Sequence, residues 1–238
     1  MGISIHYSGR IDDKQKLPQL IEDVQEIASV HGWKTTVYEK EFREITSTNL
    51  VQNQSEKRLK HDGKLYGIDF TPTGSEPVSI WFLCNRQMSS IMQLACWGNY
   101  ENDSKDADCR NYTVETEEWD EHGKKTSISE VLTMDEAEYE RMLYMCSTKT
   151  QFAGPDAHEL IIGVLRYVSK TYLADFTITD EGQYWETGDK KILIETFKRY
   201  GFLIESFGSL LKNEQRLPDE DVESFIKRIA SEMKRKKG

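Results

Sequence analysis

Twice in this chain a short run of alternating apolar and polar residues gives way, after a polar turn, to an apolar spacing of three and four. Ile3, Ile5 and Tyr7 alternate as a half-buried strand does, and Leu17, Leu20, Ile21, Val24, Ile27 and Ala28 then fall on one helix face. Asp12 or Asp13 caps that helix, Pro18 sits in its opening turn and Gly32 stops it. "WKTTVYEKEF", rich in β-branched and aromatic residues, reads as the next strand. The second occurrence is "CSTKTQFAG", a strand candidate ending at Gly154, with Pro155 opening a helix whose stripe is Ile161, Val164, Leu165 and Val168. Both strand ends carry a polar residue, an aromatic, a small residue and Gly, in "IHYSG" and "TQFAG".

A chain that switches period in this way needs a sheet with helices packed on it. The expectation is a single α+β domain over 1–238, its sheet mainly antiparallel or mixed. Its two related β-α-β halves would share one sheet about a pseudo-twofold axis.

Between and after these units the punctuation is clear. "LYGIDF" and "VSIWFLC" flank "TPTGSEP", a Pro and Gly cluster suited to a hairpin, and the second run is apolar on both faces, which places the centre of the sheet there. "IMQLACW" reads as a third strand, residues 45–63 as a loop or short helix, and "TMDE" at 133–136 as a capping box in which Thr133 and Glu136 open a helix. "FTIT" and "QYWET" flank "DEG", which predicts a hairpin with Gly182 at positive φ. Gln183, Trp185 and Thr187 would then face one way, and Tyr184 and Glu186 the other. Gly188 and Asp189 lead into a helix with Ile192, Leu193, Thr196 and Phe197. A last helix follows "PDEDV", with Val222, Phe225, Ile226, Ile229 and Met233 in register.

Charge narrows the partners. With 31 Lys and Arg against 41 Asp and Glu, the formal balance of −10 argues against nucleic acid, whose binding rests on cations displacing counterions. Residues 99–122 hold nine acidic residues and two basic ones, so an acidic irregular excursion is expected there, with a basic protein as the partner it would suit. Cys84, Cys96, Cys109 and Cys146 have no C-x-x-C spacing and read as free thiols. The chain opens on a strand-like run with no leader pattern, and no apolar stretch approaches ~18 residues, so a cytoplasmic protein without a membrane partner is expected.

The candidate site follows from the strand ends. His6, Ser8 and Arg10 share a strand face, as do Lys149 and Gln151, and polar groups at strand ends beside a helix N-terminus are where open sheets bind anions. A groove lined by His6, Arg10, Lys149, Gln151, Tyr184 and Glu186 would hold an anionic small molecule or a protein partner. The alternative is a hydrolase or transferase in which Glu186 or His6 is the base and Arg10 or Lys149 stabilises negative charge. His158, in the first turn of its helix, reads as a partly buried histidine near the cap. No nucleophile elbow, P-loop, dinucleotide fingerprint, calcium loop or zinc spacing occurs, so no cofactor and no metal are expected.

At "IHYSGRID", "KTQFAG" and "DEGQYWETGD" the chain resembles a group of bacterial cytosolic proteins of similar length for which no activity is established. That resemblance covers most of the chain outside 99–122 and implies no functional residues.

Overall fold

The computed structural model describes residues 2–42, 64–94, 109–119, 125–213, 217 and 221–235. The first strand, β1 (Ser4–Ile11), is the centre of a three-stranded antiparallel sheet, sheet A. The strands beside it are β7 (Cys146–Lys149) and β8 (Leu173–Asp180). Ile3, Ile5, Tyr7 and Ile11 point inward and are buried, while Ser4, His6, Ser8 and Arg10 point to the opposite face. The alternation in the sequence is thus the alternation of the sheet.

Helix α1 (Leu17–Val30) and helix α4 (Gly154–Tyr172) cover the inward face. Asp13 caps the turn before α1 by accepting from the Gln15 amide at 2.9 Å, and Pro18 stands in the first turn of α1. Leu17, Leu20, Ile21, Val24 and Ala28 from α1 meet Ile161, Ile162, Val164, Leu165 and Val168 from α4 in one core. Each such Leu, Ile or Val contributes about 1.5–3 kcal/mol by leaving water. Asp23 of α1 accepts hydrogen bonds from both the Tyr167 and Tyr172 hydroxyls of α4, which fastens the two helices at their solvent edge.

Sheet B is antiparallel in the order β2 (Lys34–Val37), β3 (Tyr66–Thr71), β4 (Val78–Phe82). The predicted hairpin across "TPTGSEP" is the β3–β4 connection, and β4 is buried along its whole length. The two sheets meet at a seam. Beyond Tyr7, where β7 stops pairing, the edge of β1 is taken by residues 86–88: Met88 N donates to Gly9 O at 2.8 Å and Ile11 N to Arg86 O at 3.0 Å. Tyr7 closes the seam from inside, its hydroxyl donating to Ser79 O and accepting from Ser79 N, each at 2.9 Å.

The β-α-β order does occur twice, as β1-α1-β2 and β7-α4-β8. The units do not share one sheet symmetrically: the first runs from sheet A to sheet B, whereas β7 and β8 both return to sheet A with β1 between them. Within the expected excursion, residues 109–119 form β5 (Cys109–Trp119), paired in an unbroken antiparallel ladder with β6 (Lys125–Asp135). Thr133 lies in that ladder opposite Asn111, so it is not a helix cap; α3 (Glu136–Tyr144) starts after it. Residues expected to begin a strand at "IMQ" form one helical turn, α2 (Ile91–Gln93), because the Ser90 hydroxyl accepts from the Gln93 amide and caps it. The predicted loop at 45–63 and the thiol of Cys96 lie outside the described residues.

After β8 come α5 (Tyr184–Thr187), α6 (Lys190–Asn213) and α7 (Val222–Arg235). Asp189 caps α6 by accepting from Lys191 N at 2.8 Å, and Asp221 caps α7 through Ser224 N at 2.7 Å. Among the described residues no helix is long and apolar enough to cross a membrane.

Candidate functional site

Three chain segments converge where β1 begins and β7 and β8 end. Ile3 N donates to the Gln151 side chain at 3.1 Å, Ser4 N to the Glu181 carboxylate at 2.7 Å, and Thr150 N to Ile3 O at 2.9 Å. Beneath this junction lies a fully enclosed polar row. Thr150 Oγ1 donates to Ile3 O at 3.3 Å and shares a 2.7 Å hydrogen bond with His158 Nδ1. His158 Nε2 is 2.9 Å from Asp180 Oδ1, with both side chains sealed from solvent. The Phe197 ring of α6 closes the row edge-on, 5.6 Å from the imidazole.

Asp180 does a second job. Its carboxylate accepts from the amides of Gly182 and Tyr184 at 2.7 Å and of Trp185 at 2.9 Å. Burial pushes its carboxyl upward, but His158 and the amides of Trp185 and Gly182 outweigh that and hold it below the usual carboxylate value. Those amide bonds convert "QYWET" into the single helical turn α5, so the predicted hairpin strand is replaced by a helix capped from Asp180. The positive φ is at Gln183 (61°), not Gly182. Gly182 is required for a different reason: a Cβ there would stand 2.7 Å from His158 Nε2 and 2.8 Å from Leu193 Cδ1.

Arg166 of α4 finishes the placement of α5, donating to the carbonyls of Tyr184 at 2.9 Å and Trp185 at 2.7 Å while its guanidinium lies over both rings. Tyr184 donates to Glu159 Oε1 at 2.8 Å, and Lys190 reaches Glu159 and Asp156 at 2.8 Å each. The Lys190 and Tyr184 hydrogen bonds hold the Glu159 carboxyl below its ordinary value.

A hydroxyl, an imidazole and a carboxylate in series have the connectivity of an acyl-transfer relay. Here the hydroxyl is spent on a backbone carbonyl, and all three side chains are buried, so no substrate atom can approach Thr150 Oγ1. The arrangement fastens β1, β7, α4 and β8 together.

The opposite face of sheet A is open. Across β1, His6 stands between Ser147 and Thr179, Ser8 opposite Thr177, and Ser4 opposite Lys149. Ser8 and Thr177 join their hydroxyls at 2.8 Å, and Ser147, Thr177 and Thr179 are exposed. His6 is half-buried, with its Nδ1 enclosed and unpartnered. Arg10 ends the strip, bonded to Asp175 at 3.1 Å.

The six predicted residues therefore divide. His6, Arg10 and Lys149 share the open face, but Arg10 and the Lys149 partner Ser4 are six residues apart along β1, about 20 Å at strand rise. Lys149 lies over the Phe152 ring at 5.9 Å. Gln151 is turned onto the Ile3 amide, Tyr184 packs on the helix side, and Glu186 is exposed on α5. An open depression lined by Tyr38, Glu39, Lys64, Leu65, Ile91 and Leu94 contains none of them. Thr150, Asp180 and Arg166, which organise the junction, escaped the sequence reading; the available signal was an Asp immediately before "EGQYW", with unpaired amides following it.

No family model matches the chain, and neither the curated proteins nor the solved structures contain a match to it.

Proposed function

We propose that this protein is a binding protein and that the open face of sheet A is its contact surface. The observation that carries this reading is a contrast. The only hydroxyl–imidazole–carboxylate row among the described residues is sealed, while the open face of sheet A carries half-buried Ser4, His6 and Ser8 on its centre strand and exposed Ser147, Thr177 and Thr179 on the strands beside it. Such an open polar face suits the surface of another protein better than a small molecule, which needs a concave site. Arg10 is offset by Asp175, Lys149 is the cation that remains at the other end of the face, and the chain's overall balance of −10 steers a basic protein toward the molecule.

The test is affinity capture from a cell extract with matched variants. Ser147→Arg places a large cation on the open face beside His6, and Val30→Arg places the same group at the exposed C-terminal end of α1. Loss of a captured protein with the first variant and retention with the second supports the reading. Equal capture by both overturns it.

A further inference from the structure

Strand β8 is an edge of sheet A: β1 pairs with one side and no described strand with the other. An unpaired edge is a template for a further strand unless Lys, Pro or a bulge blunts it. β8 contains neither Lys nor Pro. Its irregularity falls opposite Gly9, where Asp175 has φ 55°, and leaves Phe176–Asp180 as a regular edge. Along that edge Phe176 and Ile178 face the helix side yet are only half-buried. Trp185 is half-buried beside Phe176, with the rings 5.7 Å apart. Thr177 and Thr179 stand exposed on the other face.

We propose that β8 pairs antiparallel with β8 of a second copy, about a two-fold axis through Thr177. In an antiparallel pair, opposite residues share a face, so the axis must pass through a residue and not between two. Centred on Thr177, Phe176 meets Ile178 of the second copy twice, Thr177 meets itself, and Asp175 meets Thr179. Centred on Ile178, Phe176 would oppose the carboxylate residue Asp180 in place of an apolar partner. Centred on Phe176, Ile178 would oppose Ala174 and leave its apolar partner unused. The sequence is self-complementary in one register, and that is why the occupant is a second copy and not a foreign strand. The product is a six-stranded sheet in the order β7-β1-β8-β8-β1-β7, with the apolar strip covered on one side and the two polar faces continuous on the other.

Sedimentation velocity over a concentration series tests the pairing with register-specific variants. The mass is expected to rise from the 27.7 kDa of one chain toward twice that value. Thr177→Lys sets two cations against each other and abolishes the dimer, whereas Thr179→Lys places its ammonium against Asp175 of the second copy and keeps it. Thr177→Cys forms an interchain disulfide on mild oxidation, because opposed strand residues have the right Cα separation, while wild type and Thr179→Cys do not. A chain that stays monomeric throughout, a dimer indifferent to Thr177→Lys, or equal cross-linking at 177 and 179 overturns the proposal.

Discussion

His158 Nε2 and Asp180 Oδ1 meet at 2.9 Å with no solvent on either side chain. The contact spans from the first turns of α4 to the end of β8, and the same carboxylate starts α5, so one residue couples the sheet to the C-terminal helices. Breaking a buried pair by removing one member leaves the other uncompensated. Asp180→Ala is expected to cost about 3–5 kcal/mol of unfolding free energy in urea, because it leaves the buried imidazole and the amides of Gly182, Tyr184 and Trp185 without their acceptor. An effect under about 1 kcal/mol, the scale of an exposed pair, would show that the junction is solvated.

Acid should act through the same carboxylate. Its folded-state value is depressed, so its stabilisation is fully present above the unfolded value of ~3.9 and fades as pH falls through the lower folded value. Wild-type stability is expected to fall steeply below about pH 4, where carboxylates protonate, and Asp180→Asn to have a shallower acid limb. Asp23 and Glu159, also depressed, contribute to the slope that remains. Urea midpoints across the acid range measure the difference.

The turn at 182–183 separates two effects that the sequence alone merges. Gly182→Ala drives a methyl into His158 and Leu193 and is expected to cost about 1–3 kcal/mol through overpacking. Gln183→Gly relieves a left-handed backbone of φ 61° and is expected to stabilise by up to about 1 kcal/mol. Opposite signs in thermal melts check the assignment.

Cys146 is buried in the core with its thiol donating to Ser89 O at 3.1 Å, and burial pushes its pKa up to about 12. Neither it nor buried Cys84 should react with iodoacetamide in the folded protein at mildly alkaline pH. Peptide mapping should find both labelled once urea unfolds the chain.

Periodicity made β1, α1, β7 and α4 legible, because their buried faces follow a period set by one element alone. The α+β class followed from them. The open face was partly legible too: His6, Ser8 and Arg10 alternate with buried residues in the sequence itself. The junction was not, since Thr150, His158 and Asp180 become neighbours only when β7 and β8 flank β1. For the same reason the sequence could not say that Lys149 of β7 lies beside the end of β1 far from Arg10. "QYWET" has strand composition, but three amide bonds to Asp180 outweigh that weak preference.

Diethyl pyrocarbonate mapping of the histidines tests the account most directly. In the free protein His6 and exposed His31 should be modified and enclosed His158 spared; with the captured partner bound, His6 alone of these three should gain protection. Modification of His158 as fast as His6, or of His6 equally fast with and without the partner, would contradict it.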